Sequence, residues 1–157
     1  MSAHSATLTP HQQRALFPKS NSAEGSFTVS VDSNAINVQT KDIVHDTTKH
    51  IYGITGRNAE AVNDTVREIY IQFADTTAAG TVFHLEDSEF TNTRVWFSVD
   101  TGLNKYAVRV ITGTLVIQEL SSQGIHISLA CTGSTERTPS GKSHAMVINA
   151  DLHTGTW

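Results

Sequence analysis

A chain of 157 residues and 17.0 kDa is the size of one domain, long enough to bury about two-thirds of its unfolded surface without a disulfide or metal staple. A net charge of −4, a pI near 6.0 and apolar runs of no more than four residues exclude a protein that neutralises nucleic acid by charge and exclude a membrane-spanning helix. Charged residues are only 17%, and 21 Thr, 13 Val and 11 Ile supply a β-branched excess that favours pleated, half-buried surfaces over helices.

Residues 1–25 differ from the rest: they hold Pro10 and Pro18 and are rich in Ser, Gln, Asn and His. Thr9-Pro10 has the chemistry of a helix start, and residues 11–17 would add two turns before Pro18, with Leu8, Leu16 and Phe17 as anchors. The competing reading is a mobile tail, because so short a helix is marginal in water. The first residues lack the basic and apolar regions of a secretory signal, so the chain as written is expected in the cytoplasm, or outside the cell if a leader has been removed. The single cysteine, Cys131, leans the same way.

From Ser26 the chain alternates. Phe27, Val29 and Val31 share one face; 32–34 is a turn, and 35–39 leads into a second strand. Residues 51–55 form a third strand ended by Gly56. Residues 67–74 form the strongest, with Ile69, Ile71 and Phe73 inward and Glu68, Tyr70 and Gln72 outward. Between them Val62, Val66 and Ile69 have helical spacing, but Asn63-Asp64-Thr65 favours a loop running into the strand. Phe83 and Leu85 mark a strand at 81–85. Val95, Phe97 and Val99 alternate with Trp96 and Ser98, and Tyr106, Val108 and Val110 with Ala107 and Arg109. Residues 114–120, 125–130 and 144–152 complete about ten short strands. Turn residues separate them at the spacing of an antiparallel β-sandwich or flattened barrel, expected over 26–157 with 1–25 as an N-terminal arm.

Seven features in order carry a family resemblance. They are F-x-V-x-V-D at 27–32, I-x-G at 54–56, I-x-I-x-F at 69–73, a G-T strand at 80–85, a Y-x-V strand at 106–108, G-T-L-x-I at 113–117 and the closing strand from 125. Across residues 27–150 the chain resembles small bacterial lipocalin-like β-domains of unknown function. That group has no agreed catalytic residues, so the resemblance implies a fold and no site.

Several motifs offer chemistry, each against a plainer reading. Residues 140–143 (Ser-Gly-Lys-Ser) end like a phosphate loop, but Glu136 stands where the first glycine belongs and a strand follows, so a hairpin turn is expected. The acidic residues 86–89 lack the spacing of a calcium loop and read as a solvated turn. Glu68 and Glu86 would have to converge to act as a glycosidase pair. Of eight histidines, His45 and His50 would point oppositely on one strand. His84 with Glu86, and His126, His144 and His153 with Asp151, lack metal-ligand spacing, so no metal and no cofactor is expected. Cys131 would need His126 or His144 as a base and reads better as a small buried hydrophobe.

Parity puts Trp96 and Tyr70 opposite the core-facing sets of their strands, with Arg67, Arg94 and Arg109 as basic neighbours; Trp157 is the remaining tryptophan. Either both faces are covered and the aromatics form a second packed layer, or Trp96, Tyr70, Arg94 and Arg109 form a ligand-binding surface. The second reading makes the chain a non-enzymatic binding or interaction domain whose partner is a protein or a small carbohydrate or apolar molecule. One alternative is a small barrel enzyme or ligand carrier acting in the barrel mouth, for which a deep pocket with convergent polar groups is the discriminating feature. The other is a homo-oligomer assembled through the arm.

Overall fold

The computed structural model describes residues 23–60, 64–121 and 124–154. The protein is all-β. Its strands are β1 (Glu24–Val31), β2 (Asn34–Ile36), β3 (Thr40–Asp46), β4 (Ile51–Glu60), β5 (Thr65–Ala74), β6 (Val82–His84), β7 (Arg94–Asp100), β8 (Lys105–Ser121), β9 (His126–Thr135) and β10 (Ala145–His153). A 3-10 turn (Leu85–Asp87) and a one-turn helix α1 (Ser88–Thr91) link β6 to β7. The arm reading at 1–22 and Trp157 lie outside the described residues; Glu24 already belongs to β1.

The strands pair in the order β2-β1-β10-β9-β8-β7-β5-β4-β3, with β6 added beside β8, and every pairing is antiparallel. The sheet curls into a half-barrel around one core. Its ends approach each other where the Ala23 N–H donates to the Lys41 carbonyl at 2.8 Å, and the Phe27 ring of β1 faces Gly56 of β4. A methyl on Gly56 would stand 3.0 Å from that ring. Gly56 therefore does not end a strand, as its residue type suggests; it makes room for Phe27, and β4 continues to Glu60. Ile54, Ile69, Ile71, Phe73, Leu115, Ile117, Ile127, Ile148 and Leu152 are fully buried on the concave side. At about 25 cal/mol per Å² of apolar surface, this layer is the main favourable contribution to folding.

The alternation read for β5 and β7 is found as expected. The two strands read at 106–110 and 114–120 are instead one 17-residue strand, β8. Its inward set moves from Tyr106, Val108 and Val110 to Leu115 and Ile117 and then to Leu120, because bulges between Val110 and Thr112 and between Ile117 and Glu119 each switch parity. Gly113, at φ +111°, lies at this bend. A Cβ there would sit 2.0 Å from the Thr132 carbonyl oxygen, so glycine permits the close approach of β9. Elsewhere, 35–39 resolves into the end of β2 and a connection to β3. Residues 58–60 and the chain from Thr65 are strand rather than loop, with Asp64 in a left-handed turn at φ +49°. Leu85 leaves its strand and is buried by the 3-10 turn, so the acidic residues 86–89 lie in helical turns.

Candidate functional site

Pairing registers sort the concave surface into rows. Gly56, Ile69, Phe97 and Val108 form one row across β4, β5, β7 and β8. One step further toward the open end, the row is Asn58, Arg67, Val99 and Tyr106. The inward parity is unbroken, but the chemistry changes from apolar to polar. Here the core ends in a cleft of about 530 Å³, a volume that suits a small organic ligand.

The far wall is the β1–β2 hairpin. Asp32 and Ser33 sit at φ +52° and +69°, the left-handed pair that a two-residue hairpin turn requires, and the following residues bring Ile36 and Asn37 over the cleft. Asp32 fastens this wall to the start of β10. Its N–H donates to the Ala145 carbonyl at 2.7 Å, and its carboxylate accepts the Ala145 N–H at 2.9 Å and His144 Nδ1 at 2.6 Å. The His144 bond first, and the Ala145 amide second, hold the Asp32 carboxyl below its ordinary value of 3.8. A carboxylate has no proton to give, so His144 Nδ1 carries the hydrogen and Nε2 is the ring atom left for a ligand. The ring meets Phe97 edge-on at 5.9 Å. On the opposite wall Arg67 Nη1 donates to Glu60 Oε1, and Asn58 Nδ2 donates to the Asn37 carbonyl at 2.8 Å.

Sequence reasoning missed this cleft. Arg67 was grouped with the outward aromatics, yet it shares parity with Ile69 and Ile71 and faces the other side of the sheet from Trp96. The legible signal was a charged residue continuing an inward apolar set.

The convex face gathers the residues expected to bind. Asp42, Thr55, Tyr70, Trp96 and Arg109 lie in one register row across β3, β4, β5, β7 and β8, so Trp96 is flanked directly by Tyr70 and Arg109. Trp96 and Tyr70 are half-buried. The Tyr70 ring covers Gly53, its hydroxyl donates to Gln72 Oε1 at 2.9 Å, and burial raises its pKa, with Asp46 adding to the effect. A smaller hollow of about 260 Å³ lies beside Tyr70. Arg94 is one row away and donates to the Ser88 and Thr93 carbonyls at 3.5 and 3.3 Å, which anchors α1. Arg109 Nη1 lies 3.9 Å from Glu89. Asp42, Thr55, Ala59 and Val66 on this face are also buried, so part of it is covered.

His45 and His50 do not diverge: His50 stands in the turn at φ +58°, and both approach Asp75, at 2.9 and 3.8 Å. His126 lies between Glu119 and Asp151 at 3.1 and 2.7 Å, beside His153. Among the described residues no three His, Cys, Asp or Glu side chains are grouped as a metal would require. Glu68 is bound by Arg57 at 3.1 Å, within an ion triad that includes Asp42. Cys131 is buried, and desolvation pushes its thiol up to about 12, which suits a core hydrophobe rather than a nucleophile. Residues 138–142 close a tight turn through the Thr138 N–H to Lys142 carbonyl bond at 2.6 Å, with no helix to receive a phosphate. No family model, curated protein or solved structure matches the chain.

Proposed function

We propose that the protein is a non-enzymatic binding domain that takes a small molecule in the cleft between the β1–β2 hairpin and the ends of β4, β5, β7 and β8. One observation carries the reading: the inward row changes from apolar to polar at a cavity of about 530 Å³, where Arg67, Tyr106 and His144 converge above an apolar floor. A packed core would have continued Ile69, Phe97 and Val108 with another apolar row. Such a cavity is the feature expected of the enzyme-or-carrier alternative, and the carrier form is favoured because the cleft lining contains no Ser, Thr, Cys or Lys among the described residues to serve the His144–Asp32 pair as nucleophile. Val99→Trp should fill the cavity. Saturable fluorescence enhancement of N-phenyl-1-naphthylamine by the parent protein, lost in a folded Val99→Trp variant, is the expected result. Absence of saturable binding by the parent would overturn the proposal.

A second reading, a protein-contact face built on Tyr70, Trp96 and Arg109, draws on their shared register row. On that reading Trp96→Ala leaves the melting midpoint within a few degrees of the parent, whereas loss of a fully buried Trp costs about 3–5 kcal/mol.

A further inference from the structure

We infer that the cleft selects a singly charged organic anion with an apolar body, its carboxylate or sulfonate resting on Arg67. This rests on the proposal that the cleft is a binding site and adds the class of ligand. The argument is an account of which polar groups are already occupied. The Asp32 carboxylate accepts from His144 and from the Ala145 amide. Glu60 is engaged by Arg67. Each acidic group of the cleft already faces a protein donor, which weakens its hold on an incoming cation. The spare donors lie on Arg67. A guanidinium carries five N–H bonds in a planar fork, and Arg67 spends one of them, on Glu60, among the described residues. Its side chain is 29% exposed, open enough to meet a ligand and desolvated enough for a charge-assisted bond to count.

The charge of the ligand follows from the neighbours. The carboxylates of Asp32 and Glu60 share the cleft with the Arg67 guanidinium, so repulsion grows with each negative charge on the ligand, and a dianion such as a phosphate monoester meets it twice over. The cleft also lacks the row of bare backbone N–H groups at a helix start that holds phosphates. A monoanion fits. Its body would lie along Phe97, Val99, Val31 and Ile36, which give the cleft its apolar half.

A matched probe pair tests this. 1-Anilinonaphthalene-8-sulfonate and N-phenyl-1-naphthylamine share a skeleton and differ in the sulfonate. The parent should bind the sulfonate more tightly, by about tenfold. Arg67→Gln should abolish that preference, weakening the sulfonate by far more than the neutral probe. Glu60→Gln, which removes the competing carboxylate, should strengthen sulfonate binding; this opposite sign is not produced by damage to the fold. Equal affinity for both probes, unchanged in Arg67→Gln, would overturn the anion inference and leave the binding site standing. Failure of the parent to bind either probe would overturn the anion inference and the binding site with it.

Discussion

Replacing Gly113 by alanine measures what the bend in β8 demands, with Gly80→Ala as its matched control. Both glycines have φ in the left-handed half of the map, +111° and +88°, so an L-residue is strained at either. That strain alone is worth about 1–3 kcal/mol. The two differ in their surroundings: a Cβ at position 80 meets nothing within 4 Å, whereas at position 113 it would stand 2.0 Å from the Thr132 carbonyl oxygen and 2.5 Å from the Gly133 Cα. These are backbone atoms of a paired strand and cannot swing aside as a flexible side chain does. Displacing them is an overpacking change of about 1–3 kcal/mol further. Gly80→Ala should therefore cost about 1–3 kcal/mol and Gly113→Ala about 2–6 kcal/mol. At roughly 2–4 °C per kcal/mol for a chain of this size, thermal midpoints should fall by about 5 °C and by 10 °C or more. Urea unfolding of both variants, followed by circular dichroism, gives the comparison. Equal losses would refute the reasoning, since they would leave only the dihedral strain and show that β8 and β9 do not depend on their close approach at Thr132.

Ile71→Ala should cost about 2–5 kcal/mol in urea unfolding, because Ile71 is fully buried between Ile54 and Val95 on neighbouring strands; a loss below about 1 kcal/mol would mean that the core relaxes around it. Cys131 should resist iodoacetamide at neutral pH in the folded protein and react once urea unfolds it, since its pKa near 12 and its burial both suppress the thiolate; rapid native labelling would contradict the core placement. Asp32 has a folded pKa below its ordinary 3.8, so its contribution to stability is complete above about that pH and is lost as acid carries the pH down through the lowered value. Asp32→Asn should remove that part of the acid loss, and identical acid-unfolding curves for variant and parent would show that the carboxylate does not hold the hairpin to β10.

The alternating strands were legible because they face water on one side and the core on the other. Ile69, Ile71 and Phe73, and Val95 and Phe97, occupy the inward positions their parity assigns. The register that aligns Tyr70 with Trp96 and Arg109 was legible only as shared parity, since nothing local in the chain says which strands are neighbours. The limits of β8 were hidden for a different reason. A bulge inserts one residue and reverses parity, so Val110 followed by Leu115 reads as two strands when it is one strand bent. Gly56 misled in the same way: a glycine inside a strand pattern signals either a stop or a close approach, and only the distant Phe27 decides between them. His144 and Asp32 lie 112 residues apart in the chain and meet through the pairing of β1 with β10, which no spacing rule reaches.

The cleft lies where local pattern and local chemistry part. Arg67 and Asn58 stand at positions whose parity belongs to the core, and for stability alone apolar residues there would serve at least as well. The Arg67–Glu60 pair keeps 29% and 43% of its side chains exposed, where an ion pair adds little to stability. On the opposite wall the His144–Asp32 contact, also partly exposed, sets an imidazole against Phe97 and ties down a hairpin with two residues at positive φ. Polar groups that core packing does not call for, on walls that face each other across one cavity, have a common explanation if the cavity is kept open and furnished with hydrogen-bonding groups for a ligand. Such departures from an otherwise consistent pattern are expected at functional sites. The convex face holds a largely buried ion triad of its own, Arg57 with Asp42 and Glu68, whose charges satisfy one another; Tyr70 lies over Gly53 and bonds Gln72, and Arg94, one row away, is committed to α1. What favours the proposal for the cleft over one around Trp96 is that the cleft's polar groups line a cavity of about 530 Å³, against about 260 Å³ beside Tyr70.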